Sequence, residues 1–206
     1  MEPKVLLFDF DGTIADTADA IVKIYNEIAR EHGYVLISKQ NLAAMRTQSV
    51  IENMRYAGVP MLQLPFIIKR VRDELRHKVA DLRVIEGIKE PLRTLKAKGY
   101  KLYIVSSNSE ENIKSFLQHH EILEFDDVFS VFNLFGKHTK IKQLIKANNW
   151  EPSSVMYIGD EARDMEAARR ANIACVAVTW GYNSEESLLQ HHPDKILRNP
   201  NELGLL

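Results

Sequence analysis

The sequence predicts an α/β fold: a parallel sheet flanked by helices, with an all-helical insertion near its start. Three observations carry that prediction. Short apolar runs alternate with stretches of helical periodicity over most of the chain, the pattern of βαβ units. The alternation breaks once, between Ala15 and about Val84, where helix follows helix. The first apolar run, Val5-Leu6-Leu7-Phe8-Asp9-Phe10-Asp11, ends in two aspartates one residue apart.

Val5 to Phe10, apolar but for Asp9, is too short and too β-rich for a helix, which suits a strand buried on both faces. Ile21, Ile24, Tyr25 and Ile28 fall at helical spacing, and Gly33 supplies a stop. Ser38 is placed to cap a short helix through Met45. A further helix over Val50–Ala57 ends at Gly58-Val59-Pro60, and Phe66, Ile67, Val71, Leu75 and Val79 mark a longer amphipathic one. No strand is expected between Ala15 and Val84.

From Glu86 the alternation resumes. Helices are expected over Ile88–Lys98, Ser109–His119, Thr139–Asn148, Ala162–Ala171 and Ser184–Gln190. Strands are expected over Lys101–Val105, Asp127–Val131, Val155–Ile158 and Ile173–Val178, with an edge strand at Lys195–Leu197. The expected organisation is a core built from residues 1–14 and 86–206 with a cap, 15–85, inserted between them. Right-handed crossovers would put core helices on both faces of the sheet.

Composition narrows the function. The 206 residues are 45% hydrophobic and 27% charged, an ordinary globular balance. A net charge of -1 implies no broad basic face, so no nucleic-acid partner is expected. Lys69, Arg70, Arg72, Arg76 and Lys78 are interspersed with Ile67, Ile68, Val71 and Leu75, which reads as the solvated face of one helix. The one cysteine, Cys175, lies in a buried-strand pattern and reads as structural. No leader or membrane-spanning run is apparent, so a cytoplasmic protein with no membrane partner is expected. The seven histidines show no metal-ligand spacing.

Carboxylates are rarely buried without a partner. Two of them at the end of a buried strand call for a cation and suggest a reaction. Alternation puts Asp9 and Asp11 on one side of the extended chain, Gly12 allows a sharp turn, and Thr13 can hydrogen-bond backbone or a carboxylate. Open α/β sheets bind ligands at this end of their strands. Three further polar loops follow core strands: Ser106-Ser107-Asn108-Ser109, Gly136-Lys137, and Gly159-Asp160-Glu161-Ala162-Arg163-Asp164.

Phe8-Asp9-Phe10-Asp11-Gly12-Thr13, with those loops in that order, resembles the signature of the haloacid dehalogenase superfamily, most closely its phosphoglycolate phosphatase-like branch. The resemblance covers essentially the whole chain. It implies a Rossmann-like three-layer core with a helical cap after the first strand, and a Mg2+-dependent phosphatase acting on a small phosphorylated molecule through an aspartyl-phosphate. Asp9 matches the nucleophile, and Asp11 the acid that protonates the leaving oxygen and then activates water. Asp9, the backbone carbonyl of Asp11, and Asp160 match the metal ligands. Asp164, one helical turn on, would act through water or behind the ligands, and Glu161 is either a ligand or an acid favourable to a helix start.

Ser107 would donate to the phosphoryl oxygens, with Ser106 the alternative one residue away, and Asn108 would shape the loop or touch substrate. Lys137 would hold the phosphate, with Lys140 as competitor. Many relatives carry Lys-Pro here, where this chain has Lys137-His138. Arg46, between two cap helices, is placed to pair with a carboxylate or second phosphate of the substrate, and Trp180-Gly181-Tyr182 to line the mouth of the site. Hinges are expected near Ala15-Asp16 and Ile85-Gly87. A sugar phosphomutase shares all four motifs. A dehalogenase would lack Asp11, a phosphonatase needs a buried cap lysine that nothing marks, and a binding-only protein would not need the intact aspartates. A monomer or homodimer is expected.

Overall fold

A computed structural model describes residues 4–131, 133 and 136–206. In chain order the elements are β1 (Val5–Phe8), β2 (Ala15–Asp16), α1 (Ala18–His32), α2 (Lys39–Met45), α3 (Val50–Tyr56), α4 (Leu64–Arg76) and β3 (Arg83–Val84). There follow α5 (Lys89–Ala97), β4 (Lys101–Ser106), α6 (Glu110–His119), β5 (Asp127–Ser130), α7 (Lys137–Asn148) and β6 (Val155–Gly159). The chain closes with α8 (Ala162–Ala171), β7 (Ala174–Val178), α9 (Glu185–Gln190) and β8 (Lys195–Leu197).

Among the described residues one sheet runs β5-β4-β1-β6-β7-β8, every pairing parallel. β1 sits between β4 and β6, with Phe8 level with Ile104 on one side and Ile158 on the other. Its residues feed two cores by strict alternation. Leu6 and Phe8 pack with Leu92, Leu95, Ile113 and Phe116 of α5 and α6 on one face. Val5 and Leu7 pack with Ile141, Leu144, Met165 and Ala168 of α7 and α8 on the other. That is the three-layer arrangement, and it explains why β1 has no polar residue until it ends. Successive strands are laid down to opposite sides of β1, so its carboxyl end is the switch point of the sheet, where a crevice opens.

The helical insert packs into the first of these cores. Ile24, Tyr25 and Ile28 of α1 meet Leu64, Ile67 and Leu75 of α4 in one cluster continuous with Phe10 and Ile14. α1 ends as expected at Gly33, which takes a left-handed φ of 73°. Ser49 caps α3 through a reciprocal bond pair with Glu52.

The structure corrects three expectations. A strand pair does exist within Ala15–Val84: β2 and β3 form an antiparallel ribbon, with Ala15 opposite Val84 and Asp16 opposite Arg83. Ile85 N–H donates to Ile14 C=O and lengthens the ribbon, and Arg83 Nη2 donates to Asp16 Oδ2 at 2.9 Å. The chain thus enters and leaves the insert through a hydrogen-bonded pair of segments. α4 stops at Arg76, leaving Val79 in a 3₁₀ turn, and Phe66 is 73% exposed instead of lying on the buried stripe. α7 begins at Lys137, two residues earlier than Thr139, so this lysine is the first residue of a helix and not a loop residue.

Candidate active site

Asp9 follows β1 directly and is buried. Its N–H donates to Ile158 C=O at 2.8 Å, carrying the ladder one step past the strand, while Phe10 N–H donates to Asp9 Oδ1 at 2.7 Å. Phe10 anchors the turn beneath by packing edge-on against Phe116. The chain then reverses: Thr13, Ile14 and Ala15 N–H all point to Phe10 C=O. Gly12 at φ 75° makes that reversal possible, and a Cβ there would stand 2.3 Å from Asp160 Oδ2. Gly181 has the same constraint from the other side, 2.3 Å from the same oxygen. Two glycines therefore clear the space that the Asp160 carboxylate fills.

Asp160, just past β6, is held at both oxygens. Thr13 Oγ1 donates to Oδ1 at 2.7 Å, and Tyr182 N–H donates to Oδ2 at 2.7 Å. Thr13 thus bonds the carboxylate. Asp164 lies on the first turn of α8, where Oδ2 accepts from Glu161 N–H at 3.1 Å. Its Oδ1 accepts from Lys137 Nζ at 2.6 Å. The same Nζ stands 2.6 Å from Asp9 Oδ2. Lys140 does not compete: its ammonium lies over the Phe129 ring, 4.7 Å from the centroid.

In the loop after β4 the two serines separate. Ser106 is buried at the strand end, its Oγ accepting from Asn108 N–H at 3.2 Å. Ser107 lines the cleft. Asn108 Nδ2 donates to both oxygens of Asp11, at 3.1 and 3.2 Å, and its Oδ1 accepts from Ser109 N–H and Asn112 Nδ2. Asn108 is therefore a bracket between Asp11 and the start of α6.

These contacts push the two aspartates that follow β1 in opposite directions. Burial would raise the Asp9 carboxyl, but the Lys137 ammonium and Arg163 guanidinium outweigh it and hold Asp9 below the ordinary carboxylate range. Asp11 is pushed up to about 6, by burial and then by the charge of Asp9. Lys137 stays protonated, because Asp164 and Asp9 overcome the cost of burying it. Asp160 is pushed well above the ordinary range by burial and by the charges of Glu161, Asp9 and Asp164.

Asp9, Asp160 and Asp164 each offer an oxygen within 4.8 Å of the others. An all-oxygen, buried, mutually repelling set of carboxylates fits a hard divalent cation. Both Asp164 oxygens are already engaged by Lys137 and Glu161 N–H, so Asp9 and Asp160 are the better-placed ligands. Asp164 is placed to hold Lys137. Glu161 accepts from Arg163 Nη2 at 2.5 Å.

A cleft of about 410 Å³ opens over these groups, lined by Asp11, Ser107, Asp160 and Arg163 from the core and by apolar insert residues including Ile21, Met54 and Ile67. Trp180 lines it and donates to Thr13 C=O at 3.2 Å. Arg46 also lines it, but its Nε and Nη2 donate to Tyr182 and Gly181 C=O, each at 2.9 Å. Those donors tie the insert to the core loop. Sequence reasoning overlooked Arg163 and Asn183. Arg163 stood inside a motif already recognised for its aspartates, and Asn183 directly follows the Trp180-Gly181-Tyr182 run. Arg163 Nε and Nη1 are buried without a hydrogen-bond partner among the described residues.

Residues 6–178 match the family described as haloacid dehalogenase-like hydrolase. A phosphoglycolate phosphatase of Synechococcus elongatus is 36% identical over 201 residues, covering 97% of this chain and 95% of that protein. A 5'-nucleotidase of Pseudomonas aeruginosa is 27% identical over 208 residues, covering 91% and 88%. Among solved structures, a haloacid dehalogenase-like hydrolase of Streptococcus pneumoniae superposes with a TM-score of 0.81 at 22% identity, covering 98% of this chain and 96% of that one.

Proposed function

The chain belongs to the haloacid dehalogenase-like hydrolases and is a phosphatase of phosphoglycolate phosphatase-like type, and from that premise we propose that it hydrolyses a small phosphorylated carboxylic acid through an aspartyl-phosphate on Asp9. The observation that carries the reading is the divergence of Asp9 and Asp11: one carboxyl held ionised, its neighbour pushed up to about 6. Attack on phosphorus needs the first state and protonation of a leaving alkoxide needs the second.

Asp9 is the nucleophile. Lys137, fixed by Asp164, offsets repulsion between Asp9 and the incoming phosphoryl group, and Ser107 donates to a phosphoryl oxygen. Asp9, Asp160 and the Asp11 carbonyl would hold Mg2+, which would supply charge neutralisation at the phosphoryl oxygens. Asp11 gives its proton to the leaving oxygen, and the P–O bond to the alcohol breaks as the bond to Asp9 forms. The ionised Asp11 then takes a proton from water, which attacks the aspartyl-phosphate. Inorganic phosphate leaves, and Asp9 and protonated Asp11 are restored. Asn108 keeps Asp11 aimed through both steps.

The size of the cleft supports a small substrate. The unused donors of Arg163 support a second anionic group on it, a carboxylate. The test is Mg2+-dependent phosphate release across phosphoglycolate, sugar phosphates and nucleotides, with Asp9→Asn run in parallel. Release that needs both Mg2+ and Asp9, with phosphoglycolate ranked first, supports the reading. Absence of release from every compound, by folded protein, overturns it.

A further inference from the structure

The loop after β7 holds two parts of the molecule at once. On one side it grips the insert. Asn183 Nδ2 donates to Arg46 C=O at 2.9 Å and to Gln48 C=O at 3.2 Å, and Ser184 N–H donates to Arg46 C=O at 2.9 Å. On the other side it grips the Asp160 segment. Asn183 Oδ1 accepts from Ala162 N–H at 2.9 Å, Asn183 N–H donates to Asp160 C=O at 3.2 Å, and Tyr182 N–H donates to Asp160 Oδ2.

Asn183 is 2% exposed, so these bonds have no water to replace them. Its side chain is fully specified. Two carbonyls must face the amide nitrogen and one N–H must face the oxygen, so the amide has one orientation. Aspartate would keep the acceptor and lose both donors. Serine would be too short to bridge, and glutamine is one carbon too long. The Ala162 N–H is one of the orphan donors at the start of α8, which would otherwise go unmet in a buried place.

We propose that Asn183 is a positioning residue that couples seating of the helical insert to the geometry of the Asp160 loop. The donors and the acceptor sit on one rigid planar group. When the insert swings away, the two carbonyls leave, the amide is free to rotate, and the acceptor is withdrawn from Ala162. The segment from Asp160 to Asp164 then loses its lateral tie. With the insert seated, the amide is pinned and the carboxylates are set. The full catalytic arrangement is thereby assembled only when the cleft is covered and water is excluded. The kinetic part of this inference rests on the phosphatase reading, and the structural part does not.

The experiment compares wild type, Asn183→Asp, Asn183→Ala and Tyr182→Phe. Tyr182→Phe removes one bond from the insert, Asn53 Nδ2 to Tyr182 OH at 3.1 Å, and leaves Asn183 in place. Hydrogen exchange is followed in metal-free protein by mass spectrometry. Asn183→Asp should speed exchange in two separate segments, 45–49 of the insert and 160–163 of the core, while keeping the acceptor for Ala162 N–H. Tyr182→Phe should affect the insert segment alone. Faster exchange of Asn183→Asp in only one of the two segments overturns the coupling. Thermal melts show whether Asn183→Ala folds; should it not, Asn183→Asp alone decides.

In the kinetic arm, losing the two amide donors should raise half-saturating Mg2+ by about tenfold, and lower kcat on phosphoglycolate by a similar factor, as expected for bonds of ordinary net strength. An unchanged Mg2+ requirement in a variant with both segments loosened also overturns the proposal. Wild type that releases no phosphate fails the phosphatase reading, and the exchange result still decides the coupling.

Discussion

The Lys137 ammonium stands 2.6 Å from Asp9 Oδ2 and 2.6 Å from Asp164 Oδ1, with all three side chains at or below 2% exposure. One buried cation thus serves a carboxylate on each side. Removing it strands two buried charges, a loss of about 3–5 kcal/mol for a pair broken from one end. Lys137→Met should therefore lower the urea midpoint strongly and abolish phosphate release. Asp164→Asn in the Lys137→Met background should recover part of the stability and none of the activity. Additive losses in that double variant would mean that Lys137 and Asp164 do not act as a pair.

Asp11 makes an opposite prediction for stability. Its folded pKa, about 6, lies above the ordinary value of 3.8, so folding favours its protonated form. That contribution is fully present below the unfolded pKa and is lost as pH rises through about 6. Asp11→Asn, which cannot ionise, should thus be more stable than wild type above that pH by roughly 1–3 kcal/mol, with the gap closing as pH falls. Melting temperatures of both metal-free proteins across the acid range give the curve. The same variant should lose phosphate release from alkyl esters, whose leaving oxygen needs a proton. A stability gap that does not narrow toward acid would assign the effect to something other than Asp11 ionisation.

Much of this site was legible because it hangs on strands. Asp9, Asp11 and Asp160 follow apolar runs that stand out in sequence. β6 ends one residue past its expected Ile158, while β1 ends at Phe8, two residues short of the expected Phe10, because the chain turns after Asp9. What escaped has physical reasons. β2 and β3 are two residues each, too short for alternation to register, and they exist because they pair with one another across the base of the insert. Lys137 and His138 carry no helix-start signal, yet α7 begins at Lys137 without a side-chain cap. Phe66 fits the helical stripe of α4 by spacing and faces solvent. Arg46 reads as a substrate contact by its place between two helices, and nothing in sequence shows that loop carbonyls of Gly181 and Tyr182 come within its reach.

Asp160 sits among the charges of Glu161, Asp9 and Asp164, all buried. Their repulsion is a standing cost that a bound divalent cation would remove. Mg2+ should therefore raise the melting temperature of wild type in a concentration-dependent way, following mass action. Asp160→Asn should melt higher than wild type without Mg2+ and respond weakly to adding it. Calorimetric scans over a Mg2+ series test both halves. An equal Mg2+ response in the two proteins would place the cation elsewhere.

Arg163 is the residue that the proposed substrate carboxylate would meet. Its Nη2 is taken by Glu161, while Nε and Nη1 meet no acceptor among the described residues. A buried guanidinium with spare donors beside the cleft is poorly satisfied until an anion arrives. A charge-assisted bond to a substrate carboxylate is worth about 1.5–3 kcal/mol, or roughly 10- to 100-fold in kcat/KM. Arg163→Met should lose that factor on phosphoglycolate, mostly through KM. On p-nitrophenyl phosphate, which has no carboxylate, the loss should be small. Arg163→Lys, which keeps the charge and loses the planar fork, should fall between. Equal losses on both compounds would move the guanidinium to the phosphoryl end and remove the argument for a carboxylate. A loss confined to phosphoglycolate would make Arg163 the residue that reads the substrate carboxylate, while Lys137 and Ser107 hold the phosphoryl group.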